Sequence, residues 1–289
     1  MRYNLLAGTV YSTVTMPRHI PTILVFDSGL GGLTVFSEVL RARPDARYVY
    51  AADDAGFPYG RLSEEALVNR VMAVMERLIS VHSPDLVVIA CNTASTLVMP
   101  HLRQRFLIPF VGTVPAIKPA AMLTRSRRIS VLATPGTVAR DYTHDLISSY
   151  AGGCDVTLVG STRLAELAEQ QLRGSPASDA EIIAELAPCF VDGDGVRTDV
   201  VVLGCTHYPL LLGRFQHLSP WTVNWIDPAP AIARRVTHLI GNPLAGHEPD
   251  EEAVAVFTAG NLIGSDLLEA LAERGLPHIR IEAMPLLSS

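Results

Sequence analysis

Two cysteines occupy matching places in two matching stretches of this chain. In DLVVIACNT (85–93) an aspartate, four apolar residues and Ala90 lead to Cys91; in DVVVLGCTHYP (199–209) an aspartate, four apolar residues and Gly204 lead to Cys205. Four consecutive apolar residues read as a strand buried on both faces. Each thiol thus stands where such a strand opens into a loop. Hydrogen-bonding side chains follow it, Asn92 and Thr93 after the first and Thr206 and His207 after the second. A helix N-terminus following each cysteine is expected to lower the thiol pKa and make thiolate accessible near neutral pH. Cys154 and Cys189 have no polar loop behind them and read as small core hydrophobes.

Three chemistries compete for the pair. Cys91, Cys205 and His207 could supply three zinc ligands, but no paired short-spacing Cys/His motif accompanies them. A Cys-His hydrolase needs one thiol and one base, which leaves the second matched cysteine without a task. Proton transfer across a stereocentre uses both. One thiolate takes a proton from one face, the opposite thiol delivers another to the other face, and the roles swap in reverse. Deprotonating an amino acid at Cα places negative charge on its carboxylate, and the sequence has no pyridoxal-lysine motif to absorb it. Backbone N–H groups with Ser, Thr and Asn side chains suit that task. The motifs carry almost no arginine, so carboxylates would be held by neutral donors and helix N-termini. Each candidate also has a plainer alternative: Asp27 as a helix cap, Gly29, Gly31 and Gly32 as turn formers, Tyr59 as core, His207 as a cap or surface residue.

The elements that must position these residues alternate between strand and helix patterns, as in α/β folds with mainly parallel sheets. TILVFDSGLGG (22–32) is an apolar strand running into a Gly-rich turn, followed by the helical TVFSEVLRA; ARYVYAAD (46–53) is a second strand. SEEALVNRVMAVMERLISV (63–81) has helical periodicity, with Ser63 as N-cap and two glutamates in the first turn. DLVVIA and FVGTV are the next strands. The scheme then restarts with RISVLATPGT (128–137), a helix over 139–149, the strand CDVTLVG, helices in TRLAELAEQQL and ASDAEIIAELAPCFV, and finally DVVVLGCTH. The expectation is two pseudo-symmetric flavodoxin-like or Rossmann-like α/β domains with the active site in the cleft between them, where strand-end loops bind ligands. The first domain takes residues 22–115 and 226–289, with PAIARRVTHLI returning to pack on it, and the second takes 116–225. Residues 1–21 are an N-terminal extension, and Gly241 to Asp250 is the expected flexible loop.

Composition narrows the function classes. The chain has 289 residues, 48% hydrophobic and 18% charged, which suits a well-buried globular fold. Its formal net charge is −6 and no basic run exceeds Arg127-Arg128 or Arg234-Arg235, which argues against a nucleic-acid partner. No window approaches the roughly 20 apolar residues of a membrane span, and the first 21 residues make a poor signal peptide. The four cysteines lack CxxC spacing, as expected for free thiols in a reducing, cytoplasmic compartment.

FDSGLGG, FPYG, ACNTAS, ATPGT and GCTHYPLL, in this order and spacing, resemble the cofactor-independent glutamate racemases of the aspartate/glutamate racemase superfamily. The resemblance runs from Thr22 onward and thins after Ile240. VPAIKPA (114–120) and the N-terminal extension are similar to enterobacterial-type members. The resemblance implies that Cys91 and Cys205 are the two acid/base thiols, with Asp27 beside the first and His207 assisting the second. It implies substrate contacts from Asp27, Ser28, Tyr59, Gly60, Asn92, Thr93, Thr134, Thr137, Thr206 and His207. Glu169 matches a second-half carboxylate, although Ser161-Thr162 replaces the family's Cys-Pro nearby. Asp53 fits its motif, while Gly56 leaves a usual basic contact absent. The implied activity is interconversion of L- and D-glutamate for peptidoglycan, with no cofactor and no metal. Regulation by a cell-wall precursor and a homodimer are further expectations. Racemisation of a related acid such as aspartate is an alternative, but those relatives carry an acidic residue where His207 stands. Related decarboxylases keep one cysteine of the two. A non-catalytic glutamate-binding sensor is the alternative from another class.

Overall fold

The structure is a computed structural model describing residues 20–244, 249, 252–260 and 263–284. All but two residues of the expected N-terminal extension lie outside the described residues, and so does half of the expected loop over 241–250. The chain opens with β1 (Thr22–Asp27), α1 (Leu33–Ala42), β2 (Arg47–Ala52), α2 (Glu64–His82), β3 (Leu86–Ile89), α3 (Asn92–Arg105) and β4 (Phe110–Gly112). It restarts with α4 (Ile117–Leu123), β5 (Arg128–Ala133), α5 (Pro135–Val138), α6 (Asp141–Tyr150), β6 (Asp155–Gly160), α7 (Leu164–Leu172) and α8 (Asp179–Leu186). A small hairpin, β7 (Asp192–Gly193) with β8 (Val196–Arg197), precedes β9 (Val200–Gly204), α9 (Leu212–Leu218) and β10 (Asn224–Ile226). The chain closes with α10 (Ala229–Ile240), β11 (Val254–Phe257), α11 (Ser265–Ala272) and β12 (His278–Ile281).

The larger sheet has the order β12-β11-β2-β1-β3-β4 and the smaller one β10-β9-β5-β6. All pairings within these two sheets are parallel. Matching the two cysteine strands aligns β3 with β9, β1 with β5, β2 with β6 and β4 with β10, so one strand order is built twice. The equivalence extends to the strand feet. Asp85, one residue before β3, accepts from Thr22 N–H at the start of β1 at 2.8 Å. Asp199, one residue before β9, accepts from Arg125 and Ser126 N–H and from Thr124 Oγ1, just before β5.

Alternation along β1 divides the first core. Ile23 and Val25 face the layer containing α1 and α10, while Leu24 and Phe26 face α2 and α3. In the smaller sheet Val200 and Val202 pack with α4, and Val201 and Leu203 pack toward α7 to α9. After β10 the chain returns to the larger sheet, with α10 on α1 and β11 beside β2. Ile226, however, still pairs with Val202 in the smaller sheet, so the crossing back follows it.

Local signals account for most element ends. Ser63 Oγ accepts from Ala66 N–H at 3.2 Å and caps α2. The helix expected over 139–149 starts at Asp141, because Pro135 and the capping Thr134 open a separate short helix, α5. The segment 177–191 is helical only to Leu186, after which Pro188 sits in a 3-10 turn, Ala187–Cys189. Cys189 is buried and Cys154 half-buried against the core, consistent with structural thiols.

Candidate active site

The C-terminal ends of β1, β3, β5 and β9 meet across the seam between the two sheets. On the first wall, Asp27 ends β1 and is fully buried; Gly29 N–H donates to its Oδ2 at 3.2 Å. Cys91 follows β3 as the N-cap residue of α3, and its thiol lies 3.6 Å from Ser28 Oγ. On the second wall, Cys205 follows β9 directly, with its Sγ 3.7 Å from His207 Nδ1. His207 is buried rather than a surface residue, and its Nε2 lies 3.1 Å from Glu169 Oε1 on α7.

The walls are joined by hydrogen bonds. Thr206 Oγ1 donates to Asp27 Oδ1 at 3.2 Å, and Leu30 N–H donates to Glu169 Oε1 at 2.8 Å. Thr93 Oγ1 lies 3.0 Å from Thr134 Oγ1 and 3.5 Å from Thr137 Oγ1, so three hydroxyls cluster at the seam. Gly60 comes to the same place: a Cβ added there would stand 3.9 Å from Thr134 Cβ. Two glycines of the DSGLGG turn are dictated by close approach. A Cβ on Gly29 would stand 2.0 Å from Glu169 Oε1, and one on Gly31 would stand 2.4 Å from His207 Nδ1.

The electrostatics of the walls differ. Burial pushes the Cys91 thiol up to about 12, and the Asp27 charge adds to the rise. Ala94 N–H, at the start of α3, and Ser28 oppose this without offsetting it. The expectation of a lowered thiol at Cys91 is therefore corrected: the helix N-terminus is there, but desolvation outweighs it. Cys205 is not followed at once by a helix; a 3-10 turn, Tyr208–Leu211, begins three residues on. Burial also raises Asp27, against the nearby charge of His207. For His207 burial disfavours the charge, but hydrogen bonds to Cys205 and Glu169 outweigh it and hold the imidazole well above its ordinary value. For Glu169 burial favours the neutral form, but His207, Leu30 N–H and Arg173 together keep the carboxyl below the usual range. Gly31 N also lies 3.2 Å from His207 Nε2. An imidazolium cannot accept there, so Glu169 and Gly31 compete for that nitrogen, and the charged state favours Glu169.

Other expected residues have mixed placements. Asn92 is buried with neither its Nδ2 nor its Oδ1 partnered among the described residues, next to Cys91. A buried amide with all its hydrogen-bonding capacity open is suited to a polar ligand. The Tyr59 ring packs in the core and its hydroxyl donates to Asp53 Oδ2 at 2.5 Å, which leaves the backbone of the 3-10 turn Tyr59–Arg61 to face the cleft. Ser161 Oγ accepts from Leu164 N–H at 3.1 Å and so partners the first N–H of α7, and with Ser161-Thr162 in place of Cys-Pro Glu169 still reaches His207. At Gly56 an added Cβ would meet Tyr59 at 2.8 Å and Asp53 at 2.9 Å, so no arginine fits. Arg70 of α2 pairs with Asp53 beside it, its Nε donating to Oδ2 at 2.8 Å. Among the described residues no three His, Cys, Asp or Glu side chains are grouped to share a metal ion.

Three residues near the site escaped the sequence reading. The Phe57 ring lies over His207, with centroids 5.4 Å apart. Tyr50 donates its hydroxyl to Gly29 O at 2.7 Å and holds the turn after β1. Arg173 pairs with Glu169 at 3.1 Å, and its i,i+4 spacing on a helix was the available signal.

The model of a family described as Asp/Glu/Hydantoin racemase matches residues 28–236. The chain is 56% identical over 239 residues to a glutamate racemase of Agrobacterium fabrum, covering 82% of this chain and 88% of that protein. It is 54% identical over 241 residues to one of Brucella anthropi, covering 83% and 87%. The crystal structure of Escherichia coli glutamate racemase in complex with L-glutamate and the activator UDP-MurNAc-Ala superposes with a TM-score of 0.85 at 39% identity, covering 93% of this chain and all of that one. No described helix is long and apolar enough to cross a membrane.

Proposed function

The chain belongs to the Asp/Glu/hydantoin racemase family, and from that premise we propose that it interconverts L- and D-glutamate by proton transfer between two thiols. The observation that carries this reading is the repeated strand order, which delivers Cys91 and Cys205 from equivalent strand ends to one seam. One thiolate takes the Cα proton and becomes a thiol. The electron pair left on the substrate delocalises into its α-carboxylate, and the opposite thiol gives its proton to the other face and becomes a thiolate. Each turnover leaves the two cysteines with exchanged protonation, and solvent exchange resets them. Asp27 adjoins Cys91, while Glu169 and His207 support Cys205. Ser28, Asn92, Thr93, Thr134, Thr137, Thr206 and the backbone at Tyr59 and Gly60 supply donors to the carboxylates.

The role in peptidoglycan synthesis, the cytoplasmic location and a homodimer belong to the same proposal, as does a division into 22–115 with the chain after Asp227, and 116–227. Regulation by an anionic cell-wall precursor is part of it too. It is supported by the activator named in the E. coli complex and by a cavity of about 460 Å³ where the two sheets join, lined by VPAIKP with Arg234 and Arg235. Added UDP-MurNAc-Ala is expected to raise turnover; unchanged rates overturn that element, and sedimentation velocity reads the dimer.

Heavy water tests the central claim. Starting from either enantiomer without added cofactor and after dialysis against chelator, early product is expected to carry deuterium at Cα while recovered substrate stays protonated. Comparable early deuterium in recovered substrate and product would point to one base serving both faces. No exchange with glutamate would leave the aspartate racemase or sensor readings.

A further inference from the structure

We propose that Arg173 is a positioning residue for proton transfer at Cys205, acting through Glu169 and His207; the proposal rests on the racemase reading above. Glu169 and Arg173 lie one turn apart at the end of α7, and the guanidinium Nη2 is 3.1 Å from Glu169 Oε2. The carboxylate is thereby divided between two tasks. Oε1 accepts from Leu30 N–H and faces His207 Nε2, whereas Oε2 goes to Arg173. With His207 Nδ1 on Cys205, a continuous chain of polar contacts runs from the guanidinium to the thiol.

The end of α7 is held from the other sheet. Leu172 packs against the core of the first domain, and Gly174, at φ +77°, lies against the Asp266 side chain on α11. The charged and titratable groups around Glu169 are His207, Arg173, Asp27, the Tyr50 hydroxyl and, through His207, Cys205. Farther along α7, Glu166 pairs with Arg61. A buried carboxylate near a second one, Asp27, retains its charge only while cations hold it. His207 is a variable partner, because its charge is balanced by Cys205, which gains and loses a proton in each cycle. Arg173 stands outside that cycle, a guanidinium fork on the second carboxylate oxygen. Arg173 therefore keeps Glu169 ionised and aimed at His207 through both halves of the reaction.

The test uses full-length Arg173→Gln, Arg173→Lys, Glu169→Gln and the Arg173→Gln/Glu169→Gln double variant, with folding checked by thermal melts. Arg173→Gln is expected to lower kcat about 10–100-fold, the range for supporting residues of a site, with a smaller change in KM. Its acid limb should move to higher pH, because Glu169 without Arg173 protonates sooner, and raising the pH should restore part of the rate. Arg173→Lys should retain most activity, and the double variant should match Glu169→Gln. Separately from turnover, the imidazole nitrogen shifts of His207 should titrate at lower pH in Arg173→Gln, because a Glu169 no longer aimed at Nε2 stabilises the imidazolium less; a shift to higher pH, which loss of a nearby cation alone would give, overturns the proposal. An unchanged His207 titration overturns the proposal whatever the protein catalyses. So does a rate loss that is uniform in pH or multiplies in the Glu169→Gln background. A wild-type chain that exchanges no Cα proton instead overturns the racemase reading, and the His207 titration still decides the role of Arg173.

Discussion

At the scale of residues, the two thiols are equivalent in sequence and unlike in surroundings. Cys91 is desolvated beside a carboxylate, and Cys205 sits against an imidazole that a second carboxylate keeps charged. Replacing Asp27 by Asn removes the largest influence after burial that raises Cys91, so its thiolate should form below the present value of about 12. The difference in ultraviolet thiolate absorbance between Asp27→Asn and Asp27→Asn/Cys91→Ala reads that midpoint; an unmoved midpoint removes Asp27 from the account. Cys91→Ala and Cys205→Ala should each lower glutamate racemisation, followed by circular dichroism, by at least about 10²–10⁴-fold. Cys154→Ala and Cys189→Ala should alter only stability. Much of this cleft was legible because thiols, hydroxyls and an amide follow buried strands in a short, fixed order. The side-chain partners were less so. Tyr59 reads as a cleft residue from its motif, yet its hydroxyl is taken by Asp53, 6 residues back. Arg70 reaches the same carboxylate from a helix face that no local motif marks.

Elements enter through the repeated strand and the turn that follows it. The DSGLGG turn after β1 passes so close to the second wall that its glycines act as spacers. Gly31→Ala should push His207 off Cys205 and Glu169 and lower kcat about 10–100-fold, with only a modest loss of melting temperature. Wild-type kinetics in this variant would mean that the ring can give way freely. The strand feet carry a matching pair of aspartates. Burial works against the charge on Asp199, but bonds from Thr124, Ser126 and Arg125 outweigh it and lower its pKa. Its stabilisation is thus present above about pH 4, the unfolded value, and is lost as pH falls through the lower folded one. Asp199→Asn should cost about 1–2 kcal/mol at neutral pH and flatten the acid side of the stability profile, read by urea unfolding across pH. The strands and long helices were legible from runs of four apolar residues and from Ser63. The break at Pro188 was not, because apolar periodicity continues across it while the missing N–H and fixed φ interrupt the helix; nor was α5, which Pro135 opens where the sequence reads as a turn.

On the scale of the whole molecule, the polar contacts between the two halves are of two kinds. Ion pairs at the rim, Arg61 with Glu166 and the partly buried Arg140 with the exposed Glu64, contribute about 0–1 kcal/mol each and weaken with salt. The buried contacts, Leu30 with Glu169 and Thr206 with Asp27, are screened far less. Raising ionic strength should therefore change the melting temperature little; a large drop would assign the junction to its rim. The path of the chain has a consequence for synthesis. The smaller sheet, β5, β6, β9 and β10, is encoded as one uninterrupted stretch inside the larger one. As the polypeptide emerges from the ribosome, that inner sheet has all its strands before α10, β11 and β12 exist. The face of α1 that α10 covers stays bare meanwhile, and β2 remains an open edge. Nascent chains arrested once β10 has cleared the exit tunnel should show protease protection over 116–227 and cleavage within 22–115. Equal protection of both stretches at that length would mean that the first sheet closes without its last strands.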